Sequence, residues 1–345
     1  TTLFRSITTL FKDDIKDFCI KNGIRSYVSS QVYSWLWNKS CTSFSEMSNV
    51  SIKDRSIFEK EFFINHIQDD YEEISSDGTI KTKFKLHDGN FVEGVLIPKD
   101  KRMTACISSQ VGCSLSCSFC ATGTLGLTRN LTASEIYRQV VYISRKSMEV
   151  YNLPLTNIVY MGMGEPLLNY KNVMRSIHYI TSEDGLNMSY KRVTLSTSGI
   201  SKMIRRLAED NVKVNLALSL HAASEELRKE IMPIGKSNTL EEIRDSLKYY
   251  FSKTRKKVTY EYVLLRDVND SVEDAHNLYK YTKHLSSKVN IIEYNPVEGL
   301  GFEKSSFEKI EKFINYLLKR GVNVSLRRSR GKDINAACGQ LANKN

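Results

Sequence analysis

The hydrophobic pattern changes period twice along the chain. Through about residue 75, apolar residues recur at helical spacing: Phe11, Ile15 and Phe18, then Val28, Val32 and Leu36, with breaks at Gly23 and around Asn38 to Cys41. This predicts a small helical domain over residues 1–75. From about residue 79 the period falls to two. Ile80, Phe84 and Leu86 precede a turn at Asp88-Gly89, and Phe91, Val95 and Ile97 follow it, so residues 76–103 are expected to hold a β-hairpin. Beyond Thr104, strand-like and helix-like stretches alternate. Strands are expected at 105–109, 157–161, 193–196, 214–219, 258–264, 289–294 and 322–326. Helix starts are marked by the capping-box patterns Thr132-x-x-Glu135, Thr239-x-x-Glu242 and Ser305-x-x-Glu308. Repeated βα units predict an α/β fold with a parallel sheet or barrel over residues 104–330, followed by a C-terminal segment, 331–345.

Polar residues collect where these strands should end: Gly164-Glu165, Ser196-Thr197-Ser198, Ser219-Leu220-His221 and Asn295. Any one of them could serve a turn or a cap. Recurrence after four strands points instead to a site, because α/β barrels and open parallel sheets carry theirs at the carboxyl ends of the strands.

The candidate chemistry lies in Cys113-x-x-x-Cys117-x-x-Cys120. Three thiolates are one short of closing an iron-sulfur cube, which leaves one iron open to a substrate, as a radical S-adenosylmethionine enzyme requires. A closed tetrahedral zinc site is the alternative. No histidine lies between His87 and His178, so zinc would have to recruit Cys106 or a distant ligand. Downstream, Met161-Gly-Met-Gly-Glu-Pro166 suits a methionine moiety, since glycines let the backbone approach closely and Glu165 can accept from an ammonium. His221, beside Ser219 at a strand end, reads as a ligand contact. Seven cysteines at irregular spacing suggest metal and redox chemistry in a reducing compartment, with Cys19 and Cys41 as apolar packing. With no run of eighteen apolar residues and no signal-peptide pattern, a cytoplasmic protein without membrane contact is expected.

Charge adds a partner class. Fifty basic against thirty-nine acidic residues give 50 − 39 = +11, a balance that suits a polyanion. Basic runs occur at Lys99-Asp-Lys101-Arg102, Lys191-Arg192, 253–257 and Arg327-Arg328-Ser-Arg330-Gly-Lys332. Each alone is ordinarily a solvated face. The last immediately precedes Cys338, which makes Arg327, Arg328, Arg330 and Lys332 candidate contacts to the phosphates of such a partner.

Four stretches in order, Cys106-Ile-Ser-Ser-Gln-Val-Gly-Cys113, Phe119-Cys-Ala-Thr-Gly, Met161-Gly-Met-Gly-Glu-Pro-Leu-Leu-Asn169 and Asp333-Ile-Asn-Ala-Ala-Cys338-Gly-Gln-Leu, resemble the RlmN/Cfr family of radical S-adenosylmethionine RNA methyltransferases. The resemblance runs from about Phe91 to Leu341 and, more loosely, into the helical N-terminus. It implies an incomplete (β/α) barrel and a [4Fe-4S] cluster on Cys113, Cys117 and Cys120. It implies two S-adenosylmethionine molecules per turnover, with cofactor contacts at Gly164, Glu165, Ser196, Ser219, Leu220, His221 and Asn295. The RlmN branch methylates carbon 2 of an adenosine in 23S rRNA, in the peptidyl-transferase centre, and of the adenosine beside the anticodon in tRNA. A monomer served by an electron donor such as flavodoxin is implied.

Adenine carbon is too weakly nucleophilic for ordinary methyl transfer, and the route the resemblance implies needs two thiols. Cys338 first takes a methyl by polar displacement, and a 5′-deoxyadenosyl radical then removes a hydrogen from the thiomethyl. The carbon radical adds to adenine, a base removes the ring proton, and Cys106 attacks Cys338 to form a disulfide as product leaves. Glu93 matches the family's proton acceptor, and it interrupts the apolar stripe of Phe91, Val95 and Ile97, where a carboxylate can act as a base. A surface strand glutamate is the ordinary alternative for Glu93, and small-residue packing for Cys106. Other readings of the whole are a Cfr-like carbon-8 methyltransferase, a zinc-dependent RNA-binding module and an iron-sulfur electron carrier. The last two leave Cys338 and Gly-Glu-Pro unexplained.

Overall fold

A computed structural model describes residues 5–343. Helices α1 (Lys12–Lys21), α2 (Val28–Trp37) and α3 (Ile52–Glu61) form where the helical spacing lies. Phe18 packs its ring against Phe58 and Phe62, at centroid distances of 5.1 and 4.8 Å. Cys19 and Cys41 are buried in this core. The helical layer docks on later elements: Trp37 stacks on Tyr179, and Arg138 Nη2 donates to the Cys41 carbonyl (2.7 Å).

Ten strands form one sheet among the described residues, and their spatial order is their order in the chain. The first three, β1 (Gln68–Ile74), β2 (Ile80–Lys85) and β3 (Phe91–Lys99), are antiparallel, as is the pairing of β3 with β4 (Arg102–Cys106). From β4 onward the sheet is parallel through β5 (Asn157–Tyr160), β6 (Val193–Thr197), β7 (Asn215–Ser219), β8 (Val258–Leu264), β9 (Ser287–Glu293) and β10 (Val324–Arg327). The intervening helices are α4 (Ala133–Tyr151), α5 (Tyr170–Thr181), α6 (Ser201–Glu209), α7 (Glu225–Ile231), α8 (Leu240–Thr254), α9 (Val272–Thr282) and α10 (Phe307–Leu318). Within the sheet β10 pairs only with β9 and β1 only with β2, so the curved parallel part remains an open, incomplete barrel.

Three local expectations shift. The segment read as helical to residue 75 already becomes strand at Gln68, because β1 is a mostly exposed edge whose polar side chains show no alternation. The strand expected at 105–109 ends at Cys106: the Ile107 amide makes the last ladder bond, to the Val159 carbonyl of β5 (3.0 Å), and the Ser109 amide donates to the Met163 carbonyl beyond that strand (2.9 Å). The last capping site is Ser306, whose Oγ accepts from the Lys309 amide (3.3 Å), while Ser305 is buried one residue earlier. The boxes at Thr132 and Thr239 form as expected.

Residues 331–343 return across the molecule to the antiparallel strands. Asp333 accepts from Ser75 Oγ (2.5 Å) and the Ser76 amide (2.9 Å), and Lys81 Nζ donates to the Ile334 carbonyl (2.6 Å). Thr122 Oγ1 donates to the Leu341 carbonyl (2.6 Å), and the amides of Ala342 and Asn343 donate to Glu93 Oε2 (2.8 and 3.1 Å).

Candidate active site

The carboxyl ends of the parallel strands open onto a cavity. Its wall includes Cys113, Cys117 and Cys120 from the excursion after β4, Gly164 and Glu165 after β5, Ser196 at the end of β6, Ser219 and His221 at β7, and Cys338 from the returning segment. Residues separated by 225 positions in the chain, Cys113 and Cys338, thus face one space.

Local chemistry fixes each group. Gly164 sits at φ +94°, and a Cβ there would meet the Gln110 side chain at 2.5 Å, so only glycine fits. Glu165 follows, 2% exposed, with Oε1 accepting from the Leu167 amide (3.0 Å) and Oε2 from the Ser198 amide (2.7 Å). Burial raises its pKa against those bonds. Ser196 and Ser219 pair through their hydroxyls at 3.3 Å. His221 Nδ1 accepts from the Val263 amide (3.0 Å), which fixes the neutral tautomer with its proton on Nε2. Burial pulls this imidazole down to about 3.

The thiols differ in setting. Cys338 is exposed, whereas Cys106 is buried. Burial, and then Cys338 nearby, push the Cys106 thiol up to about 12, while Arg327 pulls the other way. Burial likewise raises Cys113 to about 11 and raises Cys117 and Cys120. Thiols so desolvated give up their protons readily only to a positively charged group, which is what a metal centre supplies. Among the described residues, no three His, Cys, Asp or Glu side chains are grouped to hold a metal ion. The three thiols share one cavity wall, and three is the ligand number that leaves one iron of a four-iron cluster open.

Several expected residues lie elsewhere. Leu220 is fully buried and Asn295 is 3% exposed, and neither lines the cavity; Asn295 Nδ2 instead donates to Ser329 Oγ (2.9 Å) and the Cys338 carbonyl (3.4 Å). Glu93 is 1% exposed, which removes the surface reading, and its carboxylate is turned to residues 342–343 and to Lys81 (3.6 Å) rather than into the cavity. Burial raises its pKa, with Lys81 opposing. Of the basic run, Arg328 is exposed, Arg330 donates to the Asp77 carbonyl (3.4 Å), and Lys332 pairs with Glu293 (3.1 Å). Arg327 differs from the other three in lining the cavity, because alternation along β10 turns it inward beside Glu261. Glu261 itself was missed; the signal in the sequence is a lone carboxylate within the otherwise uncharged strand run Val258-Thr-Tyr-Glu-Tyr-Val-Leu264.

Comparison with known proteins bears on this arrangement. A sequence model of the radical SAM superfamily matches residues 107–279, and one of the ribosomal RNA large subunit methyltransferase N-terminal domain matches residues 7–64. The curated "probable dual-specificity RNA methyltransferase RlmN" of Flavobacterium psychrophilum is 52% identical over 340 residues, covering 99% of this chain and 98% of that protein. This chain belongs to the RlmN family. The dual-specificity RNA methyltransferase RlmN of Geobacter sulfurreducens is 43% identical, over 96% of this chain and 90% of its own. The crystal structure of a radical SAM methyltransferase from Sphaerobacter thermophilus superposes with a TM-score of 0.92 at 38% identity, covering 98% of this chain and 99% of that one. RlmN membership, with its radical SAM fold, implies S-adenosylmethionine and a [4Fe-4S] cluster. The cavity's thiols and its Gly164-Glu165 corner suit those two groups.

Proposed function

We propose that this protein is a radical S-adenosylmethionine methyltransferase acting on carbon 2 of an adenosine in 23S rRNA and of the adenosine beside the anticodon in tRNA. The observation that carries the reading is the meeting of Cys338 with the three-cysteine wall in one cavity, with Cys106 close behind. A passive iron-sulfur carrier or a zinc module has no use for that second pair of thiols. Cys113, Cys117 and Cys120 would hold the cluster, which supplies the electron that cleaves the sulfonium.

The chain's own groups do the rest. Glu165, Ser196, Ser219 and His221 orient S-adenosylmethionine, two molecules of which serve each turnover. Exposed Cys338 accepts a methyl group by displacement on the sulfonium carbon, its thiol proton leaving to solvent. After a hydrogen atom is removed, that carbon bonds to the adenine ring. Glu93 takes the ring proton once residues 342–343 release its carboxylate. Cys106, giving up its thiol proton, then attacks Cys338 sulfur and breaks the sulfur–carbon bond; the freed carbon takes a proton from solvent to become the methyl group, the surplus electron returns to its donor, and the disulfide left behind is reset by an external reductant. Buried Cys106 is screened from premature reaction with the cofactor.

Nucleoside mass spectrometry of RNA treated with the reconstituted enzyme tests the regiochemistry. We expect 2-methyladenosine in rRNA and tRNA; 8-methyladenosine would assign the chain to Cfr-like chemistry. Loss of product in Cys338→Ala, with the iron chromophore intact, is expected as well.

A further inference from the structure

A carboxylate on the cavity wall remains unused by that reading. Glu261 lies in the middle of β8 and is 4% exposed. Its Oε1 accepts from Asn290 Nδ2 (2.9 Å), and Asn290 Oδ1 accepts from Ser325 Oγ (2.9 Å). These three residues are register partners across β8, β9 and β10, so the ladder fixes the carboxyl group. Its other oxygen, Oε2, is buried and has no hydrogen-bond partner among the described residues. Arg327 Nη1 stands 3.8 Å away, beyond hydrogen-bond reach, and lies 3.6 Å from Met161 Sδ. A buried acceptor without a donor is costly, and one on a cavity wall is open to a donor from a ligand or a water.

An accepting oxygen beside a donating guanidinium complements an adenine edge, on which the exocyclic amine donates and a ring nitrogen accepts. Arg327 also lies within electrostatic range of Cys338 and Cys106, the thiols that must meet the target base. We propose that Glu261 and Arg327 read an adenine in the cavity, Glu261 Oε2 accepting from the exocyclic amine and Arg327 donating to the adjacent ring nitrogen. Both the target nucleotide and the cofactor carry this edge. The proposal rests on the proposed function in requiring that an adenine enter the cavity.

The test uses reconstituted wild-type enzyme, Glu261→Met, which offers no acceptor, and Glu261→Asp, which withdraws the oxygen by one methylene. Equilibrium dialysis measures S-adenosylmethionine affinity. Multiple-turnover kinetics measure kcat/KM for a 23S rRNA fragment with adenosine or purine riboside, which lacks the amine, at the modified position. If the target is read, Glu261→Met loses about tenfold or more of the wild-type preference for adenosine while cofactor affinity holds. If the cofactor is read, its affinity falls by a similar factor and the preference survives. Should Glu261→Met fail to fold, the Asp variant is judged by the same readouts. Variants within twofold of wild type on both measures, or equal losses on both RNAs with unchanged cofactor affinity, would overturn the proposal. Wild-type enzyme that neither binds the cofactor nor methylates the RNA would instead refute the proposed function.

Discussion

At the scale of single residues, burial turns ordinary side chains into committed ones. His221 holds a left-handed backbone, φ 57°, and gives its Nδ1 to the Val263 amide. Below pH 6.5 the unfolded chain protonates this ring, whereas the folded protein resists until about pH 3. The folded pKa is depressed, so stability is lost as pH falls through that window, by about 1.4 kcal/mol per pH unit from this group. His221→Asn, which tolerates the same backbone conformation, is expected to flatten the loss. Urea unfolding between pH 6.5 and 4 checks this; an unchanged pH slope would place the acid sensitivity elsewhere. Arg327 makes a related point. In sequence it is one member of a basic run, and only the register of β10 with β9, Ile292 opposite Arg327, sends it inward while Arg328 faces solvent.

Among elements, the returning segment 331–343 matters most to the site, since it carries Cys338. Asp333 anchors it to Ser75 and Ser76, and those hydrogen bonds pull its carboxyl down to about 2. Asp333→Ala is expected to speed amide hydrogen exchange over 331–343 and to slow methyl transfer onto Cys338 severalfold, while β5 to β9 stay protected. Exchange monitored by mass spectrometry reads both parts, and uniform exchange would refute a local anchor. None of this docking was legible in the sequence, because partners such as Lys81 and Ile334 lie 253 positions apart and leave no periodic trace. The βα core was legible: alternating segments and the capping boxes at Thr132 and Thr239 are local signals. The edge strand β1 was not, since its Asp-Asp-Tyr-Glu-Glu run has no buried face to mark a period. Cysteine spacing, the Gly164-Glu165 pair and the strand-end serines marked parts of the cavity wall, while the absence of Leu220 and Asn295 from its lining was not legible, because a polar stretch at a strand end does not tell which way each side chain points.

For the whole molecule, the +11 charge excess predicts RNA binding that weakens steeply with salt. Exposed Arg328 and inward Arg327 should separate under that test. Arg328→Ala is expected to reduce the slope of log affinity against log salt by about 0.7–0.9, the share of one phosphate contact. Arg327→Ala should leave the slope unchanged and lower turnover. Filter binding across a salt series, with single-turnover rates, distinguishes them, and equal slope changes would return Arg327 to the surface run. No helix among the described residues is long and apolar enough to cross a membrane. The sheet whose spatial order follows the chain has one more consequence, in the timing of synthesis. Each strand meets its neighbour as soon as it leaves the ribosome, so the barrel can form progressively from β1 to β10. Cys338 emerges after every element it touches. The three-cysteine wall is therefore made before residues 331–343, so a cluster held there, as proposed, can be installed before that segment packs against it.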